Sequence, residues 1–396
     1  MFQSLPDVPP DPIFSLLEQF RADPNPARIN LTVGAWQDEQ GRTPVMQCVK
    51  QAETRILESE QTKNYLGIGG SAEYNQATAR LLLGEEAAAL GQNRYTTIQT
   101  PGGTGALRVA AEYLARLRSE SRLWIGHPTW ANHANIFSQA NVRTRQYEYL
   151  ESSRRAVDFE SLVTALAEAT EGDAFLFHTC CHNPSGFDLE IDQWEIVFGF
   201  VRERNLLAVF DCAYQGFRES LDSDVWPLRR LAELDAEFLI CSSNSKNLGL
   251  YGERVGALTG VCQSSDAAKK LDACLRSLVR AIYSNPPRHG GLIAAAILDD
   301  PQWRSLWIDE LAMVRGRIIE MRRLLAEKLA ACCGGDAFGF MKDQHGMFSY
   351  TGLSADQADR LREQHSIYML RSGRINVAGV TPANVDTICA AIASVV

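Results

Sequence analysis

The sequence predicts an α/β protein: a large domain built on a mostly parallel sheet flanked by helices, with a smaller α+β domain attached. Three observations predict it. Short apolar runs alternate with amphipathic stretches through the middle of the chain. The runs have strand length and are apolar throughout, as strands covered on both faces must be. One long periodic segment then separates this region from a C-terminal part of different character.

The candidate strands are RLWIGHP (122–128), AFLFHTCC (174–181), LLAVFDCAY (206–214), EFLICSS (237–243) and RVGALTGVC (254–262). Helix-like segments lie between them, among them DLEIDQWEIVFGFVRERN (188–205). Such alternation requires crossover connections, most of them right-handed, and hence a parallel sheet. From Asp300 to about Cys332, Trp307, Leu311, Val314, Ile318, Met321, Leu324, Leu325 and Leu329 recur at helical spacing, and Gly334-Gly335 stops the run. This helix is long enough to link two domains. The segments that follow, FGFMKDQHGMFSYTGLS and IYMLRSGRINVAGV with a helix between them, read as a small α+β unit.

The bulk properties narrow the function. A chain of 396 residues allows two or three domains, and 45% hydrophobic with 22% charged residues is ordinary for a soluble enzyme. The formal charge of -9 argues against nucleic acid as the main partner, because phosphate backbones call for a basic face. No apolar run reaches the length of a membrane span, and the N-terminus lacks a basic start and a long apolar stretch, so a cytoplasmic location is expected. The ten cysteines include the adjacent pairs Cys180-Cys181 and Cys332-Cys333 and no C-x-x-C, so they read as buried reduced thiols, with no metal site expected.

Four segments carry chemistry. In TPGGTGALRVAAEYLARL (100–117), Gly102, Gly103 and Gly105 free the backbone and Thr104 adds a hydroxyl where a helix starts, with Ala106, Leu107, Ala110, Tyr113 and Leu114 inward. Free N–H groups and the helix dipole both favour an anion there; GGTG alone also fits a plain glycine turn. In SSNSKNLGLYGER (242–254), Lys246 is the one lysine of seven that follows a strand end among small hydroxyl residues. A lysine that bonds to a carbonyl cofactor needs such a fixed backbone, lost solvation and adjacent phosphate ligands, here Ser243, Ser245 and Arg254; a solvated loop lysine is the alternative. In FDCAYQGF (210–217), Asp211 stands at a strand's carboxyl end, where open α/β sheets place ligand groups, and Tyr214 follows it; a turn-capping Asp fits equally. In HTCCHNPSGFD (178–188), Asn183-Pro184 marks a turn and Asn183 offers an amide. His178 and His182 have no nearby carboxylate or thiol in a convincing metal-binding set and read as structural. Arg374 in SGRINVAG and Arg280 before YSNPP suit a substrate with two carboxylates, since a guanidinium grips each one bidentately.

Together these segments resemble the aspartate and aromatic amino acid aminotransferases, the class I pyridoxal-phosphate-dependent family. TPGGTGALR, CCHNP, AYQGF, SKN-x-GLY-x-ERVGA, YSNPP, GMFS and SGRINVAG occur in order, and the match runs from DPIFSLLEQF to the last helix. The resemblance implies the pyridoxal-phosphate transferase fold and pyridoxal 5'-phosphate as cofactor. Lys246 would bond to the cofactor and later shuttle the α-carbon proton, while Asp211 would pair with the ring nitrogen, with His133 supporting it from behind. Trp130 would stack on the ring, and Asn183 and Tyr214 would hold its 3-oxygen. Gly102, Gly103, Thr104, Ser243, Ser245 and Arg254 would hold the phosphate, joined by Tyr65 from a partner subunit. Gly34, Trp130, Asn183 and Arg374 would meet the substrate, Arg374 at its α-carboxylate, and Arg280 of the partner would take a side-chain carboxylate. Such a shared site implies an obligate homodimer. The implied organisation is an N-terminal arm (1–14), a small domain (15–43 with 311–396) and a large cofactor-binding domain (44–310).

The implied reaction moves an amino group from aspartate, aromatic amino acids or both to 2-oxoglutarate by a ping-pong route. Asn64, Thr104, Arg280 and Asn285 look aspartate-type. Against this, Gln37 stands where such members tend to have lysine and aromatic-type members tyrosine; Ala35 is small, Trp36 is bulky, and Thr32, Thr179 and Asn244 depart from the commonest pattern. A strictly aromatic enzyme is the alternative on substrate. Decarboxylation or elimination would use the same lysine and aspartate, but two carboxylate-gripping arginines favour C–H cleavage. A nicotinamide oxidoreductase rests only on GGTG and the α/β pattern, and a ligand sensor would be expected to lack the lysine or to add a DNA-binding domain.

Overall fold

The computed structural model describes residues 2 and 12–396 apart from 154 and 336. The expected N-terminal arm falls outside these residues as far as position 11, apart from Phe2, and α1 (Pro12–Ala22) opens the described chain. Then come β1 (Ile29–Asn30), α2 (Gln47–Ser59), α3 (Ala72–Leu83), α4 (Ala88–Gly91), β2 (Tyr95–Pro101), α5 (Gly102–Leu117), β3 (Arg122–His127), α6 (Asn132–Gln139) and β4 (Arg143–Glu148). The central run continues with α7 (Phe159–Glu168), β5 (Ala174–His178), α8 (Ile191–Glu203), β6 (Leu207–Cys212), α9 (Trp226–Glu233), β7 (Phe238–Ser243) and β8 (Val255–Val261). The last part holds α10 (Ser265–Ile282), α11 (His289–Asp299), α12 (Pro301–Cys333), β9 (Phe348–Tyr350), α13 (Ala355–His365), β10 (Ile367–Tyr368), β11 (Arg374–Asn376) and α14 (Val385–Val395).

Seven strands form one sheet in the order β2-β8-β7-β6-β5-β3-β4, parallel except for β8, which runs antiparallel to both neighbours. The five expected strands are all present, each trimmed at one or both ends. Every residue of β6, β7 and β8 is buried, which is why their sequences read as apolar runs. Two strands carry no such signal. β2 (YTTIQTP) is buried yet rich in hydroxyls: Thr97 Oγ1 meets Thr259 Oγ1 of β8 at 2.9 Å, Thr96 donates to Asp272 at 2.8 Å and Thr100 to the Gly102 carbonyl at 3.0 Å. β4 (RTRQYE) is a charged edge strand with one buried residue, and charge on an edge is what keeps it from pairing with another chain.

α12 fulfils the long-helix expectation over 33 residues. Asp300 caps it by accepting from the N–H groups of Gln302 (3.0 Å) and Trp303 (3.2 Å), Pro301 opens it, and Gly334 ends it at φ 74°. Trp307, Leu311, Val314, Ile318, Met321, Leu325 and Leu329 are buried as expected; Leu324 is only partly so, and Arg322 is buried beside them. Its guanidinium satisfies itself on neutral oxygens, donating to Ser349 Oγ at 3.1 Å and to the carbonyls of Gly346 and Phe348. β1 pairs with β10 in parallel and β9 with β11 antiparallel, so the start and end of the chain share one region. All ten cysteines are free, and seven are buried.

One carboxylate ties the amino ends of β3 and β5 together. Asp173 accepts from the Arg122 N–H (2.9 Å) and side chain (2.6 Å), the Thr170 N–H (3.0 Å) and Trp124 Nε1 (3.2 Å). Burial raises its pKa, but these donors outweigh burial and hold it at about 2. A folded pKa below the unfolded one contributes stability above pH 4 that disappears as the pH falls toward 2. Asp173→Asn is therefore expected to cost about 1–2 kcal/mol at pH 7, solvent screening of Arg122 included, and to flatten the loss of stability between pH 4 and 2. Urea unfolding at several pH values measures both effects.

Candidate active site

The carboxyl ends of β6 and β7, the turn after β5 and the N-terminus of α5 converge on a cavity of about 240 Å³. This is where a doubly wound sheet presents ligand groups. One end is a ring of donors. Gly103 and Thr104 open α5, whose N-cap position is Pro101 and carries no side-chain cap, so the helix end faces the cavity with its N–H groups. Ser243 Oγ donates to Ser245 Oγ at 3.1 Å, and Arg254 Nη1 donates to Ser245 Oγ at 3.3 Å and to the Tyr251 carbonyl at 2.9 Å. Gly102 lies behind this ring at φ 69°, and a Cβ there would collide with the Arg254 guanidinium. The donor set of helix end, two hydroxyls and a guanidinium fits a phosphate.

Lys246, Asp211 and Tyr214 face the middle of the cavity. Lys246 Nζ lies 5.2 Å from the centre of the Tyr214 ring. Desolvation lowers its pKa most, Arg254 and Arg374 lower it further, and Asp211 works against them. The shift favours the neutral amine, the form that acts as a nucleophile or accepts a proton. Burial pushes the Tyr214 hydroxyl up, so it stays protonated. The turn that follows Tyr214 is pinned by Asp224, which accepts from the N–H groups of Gly216 (2.8 Å), Arg218 (2.9 Å) and Glu219 (2.9 Å).

Asp211 is buried, and burial alone would raise its pKa. The hydrogen bond to His133 and the neighbouring His133, His178 and Lys246 more than offset this and hold it below the ordinary carboxylate range. His133 Nε2 lies 3.1 Å from Asp211 Oδ2, and its Nδ1 lies 2.8 Å from Thr129 Oγ1. An ionised Asp211 requires the proton on Nε2, so Nδ1 accepts from the Thr129 hydroxyl. His178 Nε2 is 4.0 Å from the same carboxylate oxygen, has no hydrogen-bond partner and is lowered by burial to about 4, which keeps it neutral. A carboxylate thus does lie beside His178, where the sequence suggested none: Asp211, His133 and His178 bring ligand atoms within 4.8 Å of one another. Both nitrogens of His133 are engaged, so His133 is a hydrogen-bonded support for Asp211, and His178 packs beside the pair without a hydrogen bond. His182 is elsewhere, stacked on Tyr149 with its Nδ1 2.7 Å from Ser185 Oγ.

Arg374 closes the far side. It is 3% exposed, donates to the Thr32 carbonyl (2.8 Å) and to Asn183 Oδ1 (3.2 Å), and lies 4.1 Å over the Phe348 ring. Its partners are neutral, its Nε is unpaired, and burial lowers its pKa to about 10. A buried cation with a spare donor facing a cavity suits a carboxylate. Trp130 lines the cavity with its ring edge-on to His133 at 5.3 Å, and Gly34 lines it where a Cβ would press on Phe348.

Two expected site residues are not brought here by this chain's own fold. Tyr65 is 91% exposed, and Arg280 is exposed with Nη1 on Ser284 Oγ at 2.6 Å; neither lines the cavity. Leu107, Ala213, Tyr251 and Phe348 line it without having been singled out for it. They carry no charge, and only the presence of Tyr251 and Phe348 in SKNLGLYGER and GMFS hinted at them.

Comparison with known proteins follows the same chemistry. The profile of the family described as Aminotransferase class I and II matches residues 26–392. The chain is 45% identical over 395 residues to an aspartate aminotransferase of Salmonella typhi, covering 100% of both chains. It superposes with TM-score 0.97 and 40% identity on an aromatic-amino-acid aminotransferase from Burkholderia pseudomallei covalently bound to pyridoxal phosphate, covering 100% of this chain and 99% of that one. An aromatic amino acid aminotransferase from Psychrobacter sp. B6, cocrystallised with aspartic acid, gives TM-score 0.97 at 37% identity and the same coverage.

Proposed function

The chain belongs to the class I and II aminotransferases and is an enzyme that uses pyridoxal phosphate; from that premise we propose that it moves an amino group from aspartate and from aromatic amino acids to 2-oxoglutarate, by a ping-pong route. The observation that carries the reading is the buried Arg374, a cation with neutral partners and a spare N–H at a cavity that also holds Lys246 and Asp211. That one relative named for aspartate and two structures named for aromatic amino acids are alike similar, one of the latter cocrystallised with aspartic acid, supports dual specificity.

In this reading the helix end at Gly103 and Thr104, with Ser243, Ser245 and Arg254, holds the phosphate, and Gly102 leaves room for Arg254 behind it. Asn183 and Tyr214 hold the ring's 3-oxygen, Trp130 covers a ring face, and Asp211 faces the ring nitrogen. Bound there, pyridoxal phosphate supplies an electron sink for the pair left when the substrate's α-carbon gives up its proton. Lys246 would hold the cofactor at rest; freed by the incoming amino acid, its neutral amine would take the proton from the α-carbon and deliver it to the cofactor's former carbonyl carbon. Arg374 holds the α-carboxylate, so that the C–H bond and not the carboxylate is presented for cleavage. Gly34 and Phe348 close the cavity against water. Tyr65 and Arg280, exposed on this chain, reach the site of a partner subunit in a homodimer, where Arg280 takes the second carboxylate. The arm (1–14), the split small domain (15–43 with 311–396) and the large domain (44–310) are part of this proposal, as is a cytoplasmic location; no helix among the described residues is long and apolar enough to cross a membrane.

A half-reaction tests it. Mixing the cofactor-loaded protein with stoichiometric aspartate, then with phenylalanine, is expected to bleach the visible band in both cases and to yield one equivalent of 2-oxo acid. 2-Oxoglutarate is expected to restore the band. Bleaching by phenylalanine alone would replace dual specificity with a strictly aromatic reading, and CO₂ or ammonia in place of oxo acid would overturn the reaction class.

A further inference from the structure

Lys246 stands between two buried asparagines. Along the segment after β7, Ser243, Ser245 and Lys246 line the cavity, whereas Asn244 and Asn247 are 5% and 2% exposed and are not among its lining. Asn244 Nδ2 donates to Asn247 Oδ1 at 3.3 Å. The Tyr74 hydroxyl of α3 donates to Asn244 Oδ1 at 2.6 Å, and Trp307 Nε1 of α12 donates to the Asn247 carbonyl at 2.6 Å. Tyr74 and Trp307 are both fully buried. Tyr74 is itself fixed near the start of its helix, where its N–H donates to Ser71 Oγ at 3.2 Å. Backbone bonds from Asn244 N to the Val255 carbonyl (3.0 Å) and from Leu248 N to the Asn244 carbonyl (3.3 Å) complete the fastening.

Stability alone gives no reason for this polarity. An apolar residue at 244 would bury without the desolvation cost of an amide. A connected buried network instead selects one geometry. Its members are anchored on two helices, and the segment they fasten carries only one side chain able to move a proton at the cavity, Lys246.

We propose that Tyr74, Asn244, Asn247 and Trp307 are positioning residues for amino transfer: their hydrogen-bond chain fastens the lysine-bearing segment to α3 and α12 and so sets where Lys246 Nζ stands at the cavity floor. The inference rests on Lys246 being the reacting lysine. A misplacement of about 1 Å at a reacting group costs up to about 100-fold in rate, so a chain that removes a fraction of that freedom is worth about tenfold.

The test uses the cofactor-loaded full chain with Tyr74→Phe, which deletes one hydroxyl and keeps the ring, with Asn244→Ala, and with the double variant. Three quantities are read: the pH midpoint of the visible band, kcat with KM, and the melting temperature. Tyr74→Phe is expected to lower kcat about tenfold with KM within about twofold. The midpoint is expected to move up by about half a pH unit, because a loosened Lys246 nitrogen escapes the desolvation that disfavours its charge. The double variant is expected to be no worse than the worse single one, since both remove the same link. A Tyr74→Phe protein with a lowered melting temperature but wild-type kcat and midpoint would sink the inference, as would additive effects in the double variant. A visible band that persists unchanged in Lys246→Ala overturns the functional reading and this inference with it. A band that needs Lys246 but ignores Tyr74 overturns this inference alone.

Discussion

Replacing Lys246 by alanine is expected to lower turnover by about four orders of magnitude or more, with the fold intact and the cofactor still able to bind. The size follows from two roles meeting in one side chain. In the proposed roles, as general acid and base it would contribute about 10²–10⁴-fold, and as covalent holder of the cofactor it would set the route by which the substrate amine exchanges in. Its surroundings suit both. Desolvation, with Arg254 and Arg374 nearby, lowers the amine's pKa and so favours the neutral form. The ring of donors proposed to hold the phosphate, Ser243, Ser245, Arg254 and the α5 end, makes its hydrogen bonds without Lys246, which is why binding should survive. Lys246→Arg separates charge from chemistry: it keeps a cation but cannot offer a neutral amine, and is expected to fail as badly as alanine. Single-turnover absorbance and oxo-acid release measure both variants. A Lys246→Ala enzyme within about tenfold of wild type would remove the lysine from the mechanism.

How much of this was legible in the sequence depended on whether a residue's role was written in its neighbours along the chain. β6, β7 and β8 were plain because strands buried on both faces must be apolar, and α12 because its buried positions recur at helical spacing. β2 and β4 were not: one hides hydroxyls that its partner strand, α10 and the start of α5 satisfy, and the other is an edge that charge protects. Lys246 and Arg254 stood out through their glycine- and serine-rich setting. Conversely, the support for Asp211 could not be read locally. His133 and His178 lie far from it in sequence and meet it only because β5 and β6 are neighbours and the segment after β3 folds back over them. The role of Asn244 was likewise invisible, since Tyr74 reaches it, and Trp307 reaches its partner Asn247, across long stretches of chain. Seen alone, Asn244 was only a departure from pattern.

The second large effect is expected at Asp211. Asparagine there keeps the shape and an accepting oxygen but removes the charge, and should lower kcat by about 10³-fold while changing KM little. That pattern marks an interaction made mainly in the transition state. The charge matters because electron density arriving in the ring as the α-proton leaves is stabilised only while the ring nitrogen keeps its proton, and an anion opposite that nitrogen holds the proton there. The protein keeps the anion despite burial. His133 donates to it, with Thr129 fixing the tautomer, and neutral His178 stands 4.0 Å away. With its folded pKa below the ordinary range, Asp211 also contributes stability at neutral pH that is lost only as the pH falls through that lowered value. Acid inactivation on its account should therefore begin below pH 4, well under the range where an unsupported buried carboxylate would titrate. Asp211→Glu keeps the sign but displaces the charge, and is expected to retain more activity than Asp211→Asn. If the amide variant instead matched or exceeded the glutamate variant, the hydrogen bond and not the charge would be what the site requires, and the role proposed for the His133 support would fall with it.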